Sequence, residues 1–277
     1  MSHYKCFLCG AQKKSTISHG VFKITCCDIC QLQCVEDYEK HLDDNWFDNY
    51  YRRRKDNSKI HLNEKREQQY KLDASIVKEF LKDGDTVLDV GCSYGKFLHL
   101  IASLRKNLNC IGIDIDQFAI SEANQNFGDS AEFYNKSFLS VDRQDEFNLV
   151  IFRGTLQYLG ETLAASLTHL HSILKNDGRI IIFSLPSTDA FMYELLGEKW
   201  ALFHPEMQLM FNEYSLRIMA DIYGFVIEDL QYPYLEDVYA NPKEDYDNVK
   251  NIILGNSEKS NPFWGSIMRA VLSKKIQ

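Results

Sequence analysis

Val87-Leu88-Asp89-Val90-Gly91-Cys92-Ser93-Tyr94-Gly95-Lys96-Phe97-Leu98 reads as a buried strand, a tight glycine turn and the start of a helix. Leu88 and Val90 flank Asp89, so the strand ends with a carboxylate beside the turn. Gly91 and Gly95 have no side chain, and the expectation is that the backbone approaches a ligand there. Such a crevice, at the carboxyl end of a strand, is where open α/β sheets bind nucleotides. The glycines are spaced G-x-x-x-G. A dinucleotide fingerprint needs G-x-G-x-x-G, and Ser93 stands where its second glycine would be. The Gly-Lys-Ser/Thr ending of a phosphate-clamping loop is also absent. The expected ligand is a nucleoside without a pyrophosphate. Asp89 agrees, because a carboxylate at the turn repels phosphate and attracts an ammonium or sulfonium group.

A second acid, Asp114, follows Ile111-Gly112-Ile113, 25 residues after Asp89. At the end of a strand it can accept both hydroxyls of a ribose. The alternative is that it only caps the helix beginning near Gln117. Around these acids, helix and strand alternate. A helix is expected over residues 62–81, with Leu72, Ile76, Val77, Phe80 and Leu81 at helical spacing. After the opening strand come helix Lys96–Leu104, strand Cys110–Ile113, helix Gln117–Asn126 and a short strand near Glu132–Tyr134. Strand Phe147–Phe152, helix Glu161–Leu174, turn Asn176-Asp177-Gly178 and strand Arg179–Ser184 follow. Beyond Pro186 the pattern loosens, with a helix expected over Glu213–Tyr223 and strands over Phe225–Leu230 and Ile267–Ser273. Strands separated by helices imply an α/β fold, a mostly parallel sheet with helices on both faces.

The 277 residues carry eight cysteines, and six of them lie in the first 34 positions. Cys6-x2-Cys9, a 17-residue spacer and Cys27-x2-Cys30 fit a four-cysteine zinc ribbon. The β-prone stretch Val21-Phe22-Lys23-Ile24-Thr25 would join the knuckles as a hairpin. Cys26 can replace Cys27 in this register. A closed set of four thiolates makes the zinc structural. The chain shows no signal-peptide pattern and no apolar run of membrane-spanning length, so a cytoplasmic protein with reduced cysteines and no membrane insertion is expected. A net charge of -8 argues against a large nucleic-acid footprint. The division expected is a ribbon over 1–40, an aromatic and basic linker over 41–61, and one domain over 62–277. The linker holds Trp46, Phe47, Tyr50 and Tyr51 ahead of Arg52-Arg53-Arg54-Lys55.

Val87–Leu98, Asp114, Phe147-Asn148-Leu149-Val150-Ile151-Phe152 and Asn176-Asp177-Gly178-Arg179-Ile180-Ile181-Ile182 together resemble the motifs of class I S-adenosylmethionine-dependent methyltransferases, in the same order over residues 62–230. The resemblance implies a Rossmann-like seven-stranded sheet and S-adenosylmethionine as cofactor. It implies a donor site built from Asp89, Gly91, Cys92, Tyr94 and Gly95, with Asp114 on the ribose and Ile115 beside it. Arg153 and Gly154 would border the methionine end, Arg66 could pair with its carboxylate, and Ser137 would lie near the adenine. Asn148 departs from the acid usual at that position, which is structural in the family. With its ribbon, the chain looks like bacterial sugar methyltransferases, which carry a ribbon, a tyrosine-containing linker and a segment like Trp200–Phe211. The shortness of the chain favours O-methylation over C-methylation.

That narrower resemblance implies a sugar-hydroxyl acceptor, nucleotide-linked or part of a capsule or lipopolysaccharide, covered by an insertion over about 186–215. His204 is then the candidate base, with an ordinary pKa near 6.5 that suits the task, and Tyr158 a group that contacts the acceptor or orients its proton. Two other readings compete: a ribosomal or transfer RNA methyltransferase, and a non-catalytic module of the same fold whose ribbon binds protein. Phe152-Arg153-Gly154-Thr155 stands where base-amino methyltransferases carry an Asn-Pro-Pro-Tyr motif, which disfavours that chemistry.

Overall fold

The computed structural model describes residues 4–37, 64–200, 202–204, 206–256 and 266–275. The expected linker over 41–61 lies outside the described residues. The ribbon is a three-stranded antiparallel sheet of β1 (Lys14–His19), β2 (Phe22–Cys27) and β3 (Gln33–Val35). His19 pairs with Phe22 across a two-residue turn. Gly20 occupies that turn at φ 56°, in the left-handed region that hairpin turns require.

The larger part begins with α1 (Glu64–Glu79), β4 (Thr86–Val90), α2 (Lys96–Ala102), β5 (Asn109–Asp114), α3 (Gln117–Phe127) and β6 (Glu132–Asn135). It continues with β7 (Phe147–Arg153), α4 (Leu163–Ile173), β8 (Leu174–Pro186) and a short α5 (Phe191–Leu196). Last come α6 (Glu213–Ile222), β9 (Phe225–Gln231), α7 (Pro242–Ile253) and β10 (Ile267–Lys274). Seven strands form one sheet in the order β6-β5-β4-β7-β8-β10-β9. The first five of these are parallel, and β10 runs antiparallel to both its neighbours.

Period-two alternation divides the core between the two faces of the sheet. Val87, Leu149, Ile151, Ile181 and Phe183 face α1, α2 and α3, where Val77, Phe97, Leu98 and Ile120 are buried. Leu88, Val90, Val150, Phe152, Ile180 and Ile182 face the other way, onto Leu167 and Leu170 of α4 and Leu216 and Met219 of α6. Leu8, Cys27, Cys30 and Leu32 of the ribbon belong to that same second cluster. The opposite side of the ribbon packs Ile24 and Val35 on Tyr193, Trp200, Phe203 and Met210. The ribbon is thus built into the core of the sheet domain.

Backbone and side-chain hydrogen bonds pin this docking. Gln33 N donates to Met210 O at 3.0 Å and Met210 N to Gln33 O at 2.8 Å. Tyr223 Oη donates to Leu8 O at 2.9 Å. Asn212 accepts from Ser215 N in the capping box of α6 and donates its amide to Gln31 Oε1 at 2.9 Å. Burying the larger apolar side chains of such a seam stabilises by about 1.5–3 kcal/mol each.

Three expectations change. The turn at Asn176–Gly178 is absorbed into β8 as a bulge, because Phe147 pairs with Leu174 and Leu149 with Arg179. A Cβ on Gly178 would stand 2.8 Å from Leu174 Cδ1 and 2.9 Å from Phe147 O, so this crossing needs glycine. Leu72 is 40% exposed, and the face that α1 buries is Asp73, Ala74 and Val77. Helix α7, which the loosened pattern does not suggest, starts at Asn241, whose side chain accepts from Glu244 N, with Pro242 in the first turn. No helix among the described residues is long and apolar enough to cross a membrane.

Candidate active site

The glycine turn is fastened to the end of β5. Gly91 N and Cys92 N both donate to Ile113 O, at 2.8 and 3.0 Å. Ser93 N donates to Asp114 Oδ2 at 2.8 Å, and Asp116 N donates to Asp114 Oδ1 at 2.9 Å. Gly95 N closes the turn on Cys92 O at 3.0 Å. The amides of Gly91, Cys92, Ser93 and Gly95 are therefore engaged within the protein. Ser93 sits at φ 51°, a left-handed backbone that is uncommon outside glycine and clusters at functional sites. The cap of α3 is Asp116, which accepts from Phe118 N and Ala119 N at 3.0 and 3.2 Å. The capping alternative for Asp114 thus falls away, and its carboxylate stays at the mouth of the cleft.

The two glycines of the turn have different surroundings. Gly91 lines the cleft at φ 76°, and a Cβ there would stand 2.4 Å from Thr155 Oγ1. Gly95 does not line it. A Cβ on Gly95 would stand 2.5 Å from Phe133 Cε1 and 3.0 Å from Ala123 Cβ, so its bareness lets α2 pack against α3 and β6. Tyr94, too, lies outside the lining and packs edge-on to Phe118 at 6.3 Å.

One large cleft holds Asp89, Gly91, Cys92, Asp114, Ile115, Ser137, Arg153, Gly154 and Arg66 together. Its far wall is the ribbon, through Tyr4, Phe7, Lys14 and Glu36. Ile115 is 66% exposed there, an apolar surface at the rim beside Asp114. Ser137 Oγ meets Ser140 Oγ at 2.8 Å. Asp89 is buried, and its Oδ1 has no hydrogen-bond partner. Burial pushes its pKa up to about 7; the Arg153 guanidinium pulls against that shift and the Asp114 carboxylate adds to it.

A second cavity, of about 440 Å³, opens from the first. His204 and Tyr158 both line it, with Gln157, Asp237 and Tyr239. Arg66, Arg153, Gly154 and Tyr158 border both spaces and form the seam between them. Arg153 Nε donates to Asp73 Oδ2 at 2.9 Å. Its guanidinium lies 4.4 Å from the Tyr70 ring centroid and 5.4 Å from that of Phe97. Gln69 continues the chain: its amide donates to Asp73 Oδ1 at 2.9 Å and accepts from Val238 N at 3.3 Å. Asn148 Oδ1 accepts from Thr86 N and Lys175 Nζ at 3.0 and 2.9 Å, which makes it a strap across three strands.

Sequence reasoning missed Asp73, Gln69 and Asp237. Gln69 and Asp73 stand four apart on α1, a spacing that marks one helix face, but Asp237 lies in a loop with no motif around it. Away from the cleft, the sulfurs of Cys6, Cys9, Cys27 and Cys30 all lie within 4.8 Å of one another. Cys26 lies outside this cluster, with its sulfur 3.9 Å from Cys27 O and 4.0 Å from Gln31 O.

Residues 81–237 match the model of a methyltransferase domain family. The chain belongs to this family. Its domain is a class I S-adenosylmethionine-dependent methyltransferase domain. The chain is 34% identical over 111 residues to carboxy-S-adenosyl-L-methionine synthase of Nautilia profundicola, a match covering 39% of this chain and 47% of that protein. It spans about half the length of the curated relatives it matches. Among solved structures, a TehB-like SAM-dependent methyltransferase from Corynebacterium glutamicum superposes with a TM-score of 0.51 at 18% identity, covering 82% of this chain and 97% of that one. A Burkholderia thailandensis 1,6-didemethyltoxoflavin-N1-methyltransferase gives 0.55 at 15% identity, covering 96% and 100%. At these identities the likeness is one of fold.

We propose that Asp89 meets the cationic part of S-adenosylmethionine, so that its raised pKa couples donor binding to pH. Its folded value lies above the ordinary 3.8, so this group's contribution to stability is full below about pH 3.8 and is lost as pH rises through about 7. A cationic ligand needs the carboxylate instead. Affinity for S-adenosylmethionine should rise about tenfold from pH 6 to pH 8, as the ionised fraction does. Asp89→Asn should flatten the slope in a calorimetric titration, and an unchanged slope would exclude Asp89 as its source.

Proposed function

We propose that the chain is an S-adenosylmethionine-dependent O-methyltransferase acting on a sugar hydroxyl, in a nucleotide-linked sugar or a bacterial surface glycan. The observation that carries this reading is the meeting of the two cavities at Arg66, Arg153, Gly154 and Tyr158. The smaller space falls in the range of about 300–1,000 Å³ that small-molecule sites occupy. Its lining mixes carboxylates, guanidinium groups, an imidazole, two amides and tyrosines, groups that satisfy hydroxyls. The net charge of -8 weighs against a polyanionic acceptor such as RNA.

S-adenosylmethionine supplies a methyl group on a positively charged sulfur. Asp89, Gly91 and Cys92 would hold its methionine part, with Arg66 on the carboxylate and Arg153 and Gly154 beside it. Tyr94 and Gly95 would support this turn from behind. Asp114 would take the ribose, with Ile115 and Ser137 toward the adenine. His204 and Tyr158 would contact the acceptor and orient its hydroxyl toward the seam. Holding the oxygen in line with the breaking bond can contribute roughly 7–11 kcal/mol.

We also propose a structural zinc on Cys6, Cys9, Cys27 and Cys30. Zinc–sulfur bonds of about 2.3 Å in a tetrahedron put sulfurs about 3.8 Å apart. The pairs Cys6–Cys30 and Cys9–Cys27 are both 3.5 Å apart, which suits that geometry. Because Cys27 and Cys30 share a core cluster with the sheet, losing the metal would loosen both parts. Cys27→Ser should lose about one zinc per chain and about 3 kcal/mol or more of stability. Cys26→Ser should keep the metal. Metal analysis and denaturant melts check this, and equal zinc in both variants would contradict it.

Turnover against a panel of nucleotide-sugars, free sugars and RNA tests the acceptor. Methylation of a sugar hydroxyl is expected. Preference for RNA would replace this reading by the nucleic-acid one, and failure to bind the donor at all would favour a non-catalytic module.

A further inference from the structure

Asp237 sits in the loop after β9 and lines the smaller cavity. Tyr239 N donates to its Oδ1 at 2.8 Å, the one hydrogen bond to its carboxylate among the described residues. The adjacent Val238 N is the group held by Gln69, which is bonded to Asp73, which is paired with Arg153. The loop that carries Asp237 is therefore tied, through α1, to the residue at the seam with the donor cleft. Arg153 borders both spaces, while Asp89 lines only the larger and Asp237 only the smaller. Asp237 thus stands on the acceptor side of a charge that borders both spaces.

We propose that Asp237 is the general base of the methyl transfer, accepting the proton of the acceptor hydroxyl within the smaller cavity. This rests on the methyl-transfer reading above. In the step, the acceptor O–H bond breaks and its proton moves to a carboxylate oxygen of Asp237. The oxygen forms a bond to the methyl carbon as the S–CH3 bond breaks, its electron pair remaining on sulfur. Charge balances, since a carboxylate and a sulfonium become a carboxylic acid and a thioether. A carboxylate is a weak base unless its proton affinity is raised. Burial raises that of Asp237 and the Asp73 charge adds to it, while the Tyr239 amide and Arg153 moderate it. Glu236, Arg66, His204 and Arg269 line the same space from the loop, α1, the segment before α6 and β10, with the hydroxyl groups of Tyr158 and Tyr239. A base held by a backbone amide and a braced loop is pre-organised for its task.

The test uses the full chain with the acceptor that gives the highest wild-type turnover. Asp237→Asn is expected to lower kcat by about 10²–10⁴-fold, with donor affinity within threefold of wild type. It should also abolish the rise of kcat with pH, whose midpoint in the wild type lies above the ordinary carboxylate value. Asp237→Glu should restore part of the rate and the rising limb, which a purely structural role would not do. His204→Gln serves as the comparison, and the limb should persist in it. If Asp237→Asn keeps kcat within threefold and retains the limb, or if the limb vanishes only in His204→Gln, the proposal is overturned. A wild type that transfers no methyl to any acceptor fails at the earlier reading, before the variants are compared.

Discussion

The largely buried ion pair between Arg153 and Asp73 holds the site together. It joins the end of β7 to α1 at the place where the larger cleft meets the smaller cavity. Asp73 is almost wholly buried, and its two oxygens accept from the guanidinium and from the Gln69 amide. Breaking such a pair by removing one partner typically costs about 3–5 kcal/mol, because the other charge stays buried. The stacking of Arg153 on Tyr70 and Phe97 fixes its plane as well as its position. Burial raises the pKa of both Asp89 and Asp237, and this guanidinium opposes the rise in each.

Selection of the ligand rests on how the glycine turn uses its amides. In a phosphate-binding loop, backbone N–H groups point at the ligand. Here Gly91, Cys92 and Ser93 give theirs to β5, and Gly95 gives its own to Cys92. Two carboxylates line the cleft beside this turn, Asp89 at the strand end and Asp114 at its neighbour. That surface favours a cation and ribose hydroxyls over a pyrophosphate, and it agrees with membership of the methyltransferase family.

Much of this is legible in the chain. The alternation of strand and helix follows from apolar runs bounded by turn residues, and Asp89 and Asp114 are visible as acids closing two such runs. The cysteine spacing points to a four-sulfur cluster but leaves Cys26 and Cys27 open, because neighbouring residues differ only in which face of β2 they present. Docking of the ribbon is not legible. It depends on backbone bonds between Gln33 and Met210, and main-chain groups leave no mark in sequence. The spacing of Gly95 suggests a place of ligand approach, yet the atoms nearest a Cβ there belong to Phe133 and Ala123. Helix α7 has a start signal in Asn241-Pro242 with Glu244 and Asp245 after it, but its apolar stripe is thin. Asp237 carries no pattern at all; its surroundings arise only when α1, β7 and the loop after β9 converge.

The central claim is that this turn holds a nucleoside bearing a sulfonium, and that it does not hold a dinucleotide. Calorimetric titration of the full chain with S-adenosylhomocysteine, S-adenosylmethionine and NAD tests it most directly. One saturable site is predicted for each of the first two, with the sulfonium compound gaining affinity relative to its uncharged product as pH rises from 6 to 8, and no heat for NAD. Binding of NAD with no binding of either S-adenosyl compound would contradict the account.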